Sequence, residues 1–306
     1  MQSSGLRALA VSALLLIFHH AQASPAGQST QRRWRVGVSL LTRAHPFFLE
    51  LENGLQQAGL RHNIDLSVVA AEFDVDRQNK QIDKFLQHGY DALVIVPADS
   101  ERIGLAVQKA NDAGIPVFTV DIACTKPDAE VVAHIASNNR KGGQLAAYAM
   151  AKALHGSGRI VILNQPGITS VDERVLGFRE AINRYRRIKV LEILSTDGQR
   201  EMARERLAGA LSRFPDLKGV FAINDETALG AFVAIKQANK DRVILIGYDA
   251  SKGAREKIKK GTLFYGSVVQ HPEIMGRKTM KAVSDYLEGK PARKQITVPV
   301  ELYRRR

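Results

Sequence analysis

Cysteine is almost absent: Cys124 stands alone, so no intramolecular disulfide can brace the fold and its stability has to come from ordinary apolar cores. Beyond residue 23 no stretch approaches the roughly 20 apolar residues that a membrane-spanning helix needs. Neither a GxGxxG nor a GxxxxGK[ST] pattern occurs, so the glycine-rich cradles that hold nucleotide phosphates are missing. The histidines show no metal-ligand spacing and no nucleophile and base are paired, so neither a metal centre nor an enzyme is expected, and no cofactor.

Positive charge is what the chain has in excess, 44 Lys and Arg against 31 Asp and Glu for a net +13. Such a balance raises the question of nucleic acid, because cations on phosphates supply most non-specific affinity. The basic groups are short and scattered, however: "QRRWR", "RYRRIK", "REKIKK" and "YRRR" fall at termini or on helix surfaces. A solvated basic surface accounts for them, and no nucleic-acid partner is expected.

The first residues, "MQSSGLRALAVSALLLIFHHAQASPAG", combine one cation, Arg7, with an apolar run from Ala8 to Phe18 and the small-x-small site Ala21-Gln22-Ala23. That is the pattern of a secretory signal peptide over residues 1–23, cleaved after Ala23. No cysteine follows the cleavage site, so no lipid anchor is expected. The product is expected free in a bacterial periplasm, behind a polar linker over 24–33.

The 306 residues suggest two domains. Short Val/Ile-rich runs alternate with amphipathic ones. The strand candidates are "WRVGVSLL", "DLSVVAAEF", "DALVIVPA", "IPVFTVDI", "VVAHIAS", "GRIVILNQ", "KVLEILST", "GVFAIND", "VILIGYD" and "LFYGSVVQ". Near-continuous apolar strands are those buried on both faces of a parallel sheet. Helices are predicted between them, for example over 46–59, with Phe48, Leu51 and Leu55 on one face, and over 100–113. The alternation predicts an α/β doubly wound architecture, with too many strands for one sheet and therefore two.

In such folds ligands bind beyond the carboxyl ends of the strands. The strand ends here carry His45, Phe47 and Phe48, then Asp121, Arg174, Asn224, Asp249 and Gln270. Carboxylates accept from adjacent hydroxyls, a guanidinium donates a planar fork, amides do both, and aromatic rings cover C–H faces. Such a set matches a neutral polyhydroxylated ligand. Each residue also has a structural reading. Asn224, Asp225 or Asp249 could only cap a helix, Phe47 and Phe48 could be core, Arg174 could pair with Asp172 or Glu173 at the surface, and Gln270 could merely end a strand.

From Arg35 to Tyr303 the chain closely resembles the ribose-type family of periplasmic sugar-binding proteins, with the type I periplasmic binding protein fold. The resemblance rests on "HPFF", "DALVIVPADS", "GIPVFTVDIACTK", "HIASNN", "GITSVDERVLGF", "FPDLKGVFAINDETALGA", "VILIGYDAS" and "VVQHPEIMG", in that order. It implies two similar Rossmann-like lobes joined by a three-stranded hinge near Ser137-Asn138, Gln270-His271 and Pro299. The lobes would be 34–137 plus 271–298 and 138–270 plus 299–306, closing about a cleft by hinge motion.

The resemblance places the ligand-binding positions at His45, Phe47, Phe48, Asp121, Ile122, Arg174, Gly198, Asn224, Asp249 and Gln270. Three depart from the ribose-binding pattern: His45 stands where Asn is usual, Ile122 where Arg is, and Gly198 where an aromatic is. Loss of one cation and one ring points away from ribose itself, toward another monosaccharide or a polyol. The implied function is that of a monomeric solute-binding protein that delivers a monosaccharide or polyol to an ATP-driven (ABC) importer's permease in the inner membrane. A periplasmic sensor feeding a chemoreceptor or sensor kinase would use the same cleft. A repressor-like regulator would need a DNA-binding headpiece, and a glycosidase would need an acid and base flanking one bond.

Overall fold

A computed structural model describes residues 33–305; the expected signal peptide and all but the last residue of the linker lie outside the described residues. The chain runs through β1 (Trp34–Leu40), α1 (Pro46–Arg61), β2 (Ile64–Ala70), α2 (Val75–Gln87), β3 (Ala92–Ile95), α3 (Gly104–Asp112), β4 (Val117–Val120) and β5 (Ala133–Ser137). After α4 (Asn139–Ala153) come β6 (Ser157–Asn164), α5 (Thr169–Ile182), β7 (Arg187–Ser195), α6 (Arg200–Arg213), β8 (Leu217–Ala222), α7 (Asp225–Gln237), β9 (Ile244–Asp249), α8 (Lys252–Lys259) and β10 (Phe264–Val269). Last are α9 (Pro272–Leu287), β11 (Gln295–Val298) and β12 (Glu301–Arg304).

Two six-stranded sheets result, ordered β2-β1-β3-β4-β5-β11 and β7-β6-β8-β9-β10-β12. Every pairing is parallel except that of β10 with β12. The chain therefore passes between sheets three times: after β5, after β10 and between β11 and β12. This is the doubly wound α/β arrangement, in two lobes, that the alternating pattern predicts. In each sheet the strand order reverses about one strand, β1 or β6, and the carboxyl ends there are where a doubly wound sheet opens a crevice.

The inner strands read as they do because both faces are covered: all four residues of β3 and all four of β4 are buried. Helix α1 begins at Pro46, whose fixed φ suits the first helical position. Its Phe48, Leu51, Leu55 and Ala58 fall on the buried face.

Two features differ from the sequence reading. The helix expected over 100–113 starts only at Gly104, because Asp99 accepts from the backbone N–H groups of Glu101 and Arg102 and winds the intervening residues into a turn. Strands β11 and β12 escaped the list of candidates. They are short edge strands with only Val298 buried between them, so they lack the apolar run by which the others are recognised.

Helices α4 and α5 lie against each other through glycine. A Cβ on Gly143 would stand 2.0 Å from the Arg174 carbonyl oxygen, and one on Gly177 would stand 2.0 Å from that of Arg140. The close approach brings the N-terminus of α4 beside Arg174. An alanine in a helix normally gains about 0.5–1 kcal/mol over glycine, but at this contact overpacking costs about 1–3 kcal/mol and wins. Gly177→Ala is therefore expected to lower the thermal unfolding midpoint, measured by circular dichroism; an unchanged or raised midpoint would contradict the contact.

Candidate functional site

Backbone strain marks the ends of two strands. Beyond β4, the Ile122 N–H donates to the Val120 carbonyl at 2.7 Å, a three-residue turn that holds Asp121 at φ +61°. At the end of β9, Asp249 and Ala250 have φ of +106° and +53°. Non-glycine residues in this region cost about 1–3 kcal/mol each and persist where the surroundings dictate them. Here the surroundings are explicit. The Asp121 N–H is anchored on the Ile135 carbonyl at 2.8 Å, the Ala250 N–H on Ser267 Oγ at 2.9 Å and the Ser251 N–H on Asp225 Oδ2 at 2.6 Å.

Both turns aim a carboxylate into one narrow cavity between the sheets, with about 30 Å³ of free volume, far less than the several hundred of an open small-molecule site, so admitting a ligand requires the walls to part. Its lining includes His45, Phe47, Phe48, Asp121, Ile122, Arg174, Asn224, Asp249 and Gln270, nine of the ten residues singled out in the sequence. Gly198 does not line it; its carbonyl accepts from Asn224 Nδ2 at 3.1 Å just behind the wall. Leu41, Gln165, Ile168, Ser170 and Val171 complete the lining and were not anticipated.

Arg174 is buried, not paired at the surface. Its Nε donates to Asn139 Oδ1 at 2.9 Å and its Nη1 to the Ile223 carbonyl at 2.8 Å, and its guanidinium lies 4.1 Å above the Tyr248 ring. Nη2 reaches only to 3.8 Å from Asp121 Oδ1, beyond hydrogen-bonding distance. Asn139 and Tyr248 thus set the guanidinium without being among the expected residues. The signal available was local: "SNN" opens α4, and Tyr248 is the one aromatic in an aliphatic strand.

Two buried acceptors in the lining have no partner: Asp121 Oδ1 and Gln270 Oε1. Gln270 spends its amide hydrogen on Asp249 Oδ1 at 2.6 Å. Asn224 does cap its helix, accepting from the Thr227 N–H at 2.7 Å, so the capping reading is realised while the side chain still faces the cavity. Asp249 caps nothing; Ser251 is the cap of α8.

Burial, opposed by Arg174, holds the Asp121 carboxyl above the ordinary carboxylate range. Burial raises Asp249 well above it too, against Arg174 and with Asp225 adding to the rise. Burial lowers His45, leaving a neutral imidazole with one donor and one acceptor; it stacks on Phe48 at 6.1 Å. Among the described residues no group of His, Cys, Asp and Glu is arranged to hold a metal ion, and no helix is long and apolar enough to cross a membrane.

The cavity is closed along one rim by hydrogen bonds between the two sheets' loops. The Thr169 N–H donates to Ser100 Oγ at 3.1 Å, the Ala123 N–H to Thr169 Oγ1 at 2.8 Å and the Ser100 N–H to the Gly167 carbonyl at 3.3 Å. Thr169→Val removes a hydroxyl that accepts from the Ala123 N–H and, at 3.3 Å, from Ser100 Oγ, and so joins the loops after β3 and β4 to α5. At about 0.5–1.5 kcal/mol per bond, loss of its two contacts should weaken ligand binding roughly 5- to 150-fold. Calorimetric titration measures it, and an affinity equal to that of the unaltered protein would show that this rim does not hold the cavity shut.

A profile of the periplasmic binding protein domain matches residues 36–291. The ribose import binding protein of Bacillus subtilis is 34% identical over 281 residues, covering 92% of this chain and 90% of that protein. A xylitol-binding protein of Mycolicibacterium smegmatis is 30% identical over 242 residues, 78% of this chain and 68% of that one. Among solved structures, a solute-binding protein of an ABC transporter from Agrobacterium vitis, bound with α-D-tagatopyranose, superposes with a TM-score of 0.85 at 26% identity, over 89% of this chain and 94% of that one.

Proposed function

Because the chain belongs to the periplasmic binding protein family, we propose that it is the solute-binding component of an ABC importer, capturing a monosaccharide or polyol in the cavity between its sheets. The observation that carries this reading is the pair of orphaned acceptors, Asp121 Oδ1 and Gln270 Oε1. A buried acceptor without a partner costs about 1–3 kcal/mol, and a ligand rich in hydroxyl donors relieves the cost. Arg174 Nη2, facing the same space, supplies a donor to a hydroxyl oxygen. Phe47 and Phe48 offer an apolar wall for C–H groups. A phosphorylated ligand would bring its charge against two carboxylates and one guanidinium, which disfavours it.

The relatives' names support import as the purpose, and their ligands support a sugar or polyol. In this reading residues 1–23 direct export to the periplasm and are removed. The bodies that close are 34–137 with 271–298 and 138–270 with 299–306, and the loaded monomer is received by a permease in the inner membrane. Binding, without turnover, is the whole of the chemistry.

A thermal-shift screen against pentoses, hexoses and polyols identifies the ligand, since a bound ligand raises the midpoint by mass action; a flat screen across all three classes would sink the proposal. Asp121→Ala and Asp249→Ala should each weaken binding at least 10-fold, at about 1.5–3 kcal/mol per charged hydrogen bond. Ligand-free, Asp121→Ala should unfold at the same temperature or higher, because it loses a buried carboxylate whose Oδ1 has no partner, whereas Asp249→Ala gives up part of that gain by leaving Gln270 Nε2 without its acceptor.

The pH dependence has a definite sign. Carboxyls held above their ordinary values favour the ligand-free fold when protonated, a contribution that is lost as pH rises through the raised values. Hydroxyls that donate to the ionised forms pull those values down again. Affinity should therefore increase from pH 5 to pH 8, with protons released on binding. Titrations in buffers of different ionisation enthalpy detect the release, and affinity that falls over this interval would reverse the assignment of Asp121 and Asp249 as acceptors.

A further inference from the structure

Gln165, the first residue beyond β6, lines the cavity and makes no hydrogen bond to any described residue. Its neighbour Asn224 is otherwise engaged, with Oδ1 accepting from the Thr227 N–H and Nδ2 donating to the Gly198 carbonyl. Gly198 itself sits at φ +69°, and a Cβ there would stand 2.3 Å from Gln165 Oε1 and 3.2 Å from Asn224 Nδ2. The bare α-carbon at 198 is therefore what gives the Gln165 amide its place. A side chain at 198 would meet that amide first.

The chemistry of the lining is correspondingly lopsided. Its aromatic rings, Phe47 and Phe48 with the His45 imidazole, all follow β1, and none comes from the elements of the second sheet. Against a ring, a ligand turns C–H groups. Against an uncommitted amide, which both donates and accepts, it turns a hydroxyl, which does the same.

We propose that Gln165 is a specificity-determining residue, admitted by Gly198, that selects monosaccharides and polyols presenting a hydroxyl toward the β6–α5 turn. The proposal rests on the polyhydroxylated-ligand reading above. Gly198 acts through Gln165 and need not touch the ligand, so its role as a positioning residue accounts for its place behind the wall.

The test is calorimetric titration of the unaltered protein, Gln165→Ala and Gly198→Ala with D-ribose, D-allose, D-tagatose, D-fructose, xylitol and myo-inositol, then with the monodeoxy analogues of the tightest binder. Gln165→Ala is expected to weaken the tightest binder roughly 3- to 10-fold, the worth of one hydrogen bond to a neutral group, and to alter the order of preference. For one monodeoxy analogue the variant and the unaltered protein should bind equally, because the hydroxyl that Gln165 reads is gone. The unfolding midpoint of ligand-free Gln165→Ala should not move, whereas Gly198→Ala should lose both affinity and stability.

If Gln165→Ala keeps every affinity within twofold, or lowers all of them equally with no analogue restoring parity, the proposal is overturned while sugar binding stands. If the unaltered protein binds none of the six, the underlying reading and this proposal fall together. Should Gly198→Ala fail to fold, the Gln165→Ala series alone decides.

Discussion

Arg174 is fixed on three sides and falls short on the fourth: Asn139, the Ile223 carbonyl and the Tyr248 ring hold it, and its Nη2 stops 3.8 Å from Asp121. Two unit charges that far apart attract by about 4 kcal/mol at an effective dielectric of 20, while desolvation costs several kcal/mol per ion. Burial wins at Asp121, whose carboxyl is held up despite the guanidinium. The ion pair alone therefore does not pull the sheets together. It leaves a donor and an acceptor that a single ligand hydroxyl, accepting from Nη2 and donating to Oδ1, can satisfy together.

Much of the scaffold serves to maintain that shortfall. Glycines at 143 and 177 let α4 and α5 approach closely, which brings Asn139 to Arg174. The three-residue turn at Asp121 and the left-handed pair Asp249–Ala250 direct carboxylates into the cavity from the two sheets. The second of these is pinned from beneath by Asp225, a fully buried carboxyl that burial raises to about 7. Conformational strain and buried polar groups thus fix where each carboxylate points within its own sheet.

The strand-helix alternation was legible in the sequence because it is carried by apolar periodicity, and the ten candidate strands correspond to β1 through β10. The pattern weakens where burial weakens, and β11 and β12, exposed at the sheet edges, were missed for that reason. Residues at strand ends could be nominated from topology alone. Which of them converge could not, because convergence depends on three passes of the chain between sheets. Tyr248 and Asn139 also sit at strand ends, but they touch Arg174 rather than the cavity, so a search for groups that face a ligand passes over them. Gln165 escaped because its environment is created by the missing side chain at 198, thirty-odd residues away.

The edge pairings carry a consequence for how the molecule is assembled. β11 completes the first sheet against β5, and β12 completes the second against β10. Both partners come from residues 295–304, so the apolar strands β5 and β10 remain edge strands until that segment arrives. A nascent chain thus presents β5 and β10 as two edge strands at once, the kind of surface that invites wrong pairing. The lobes, separate in architecture, are finished by the same ten residues.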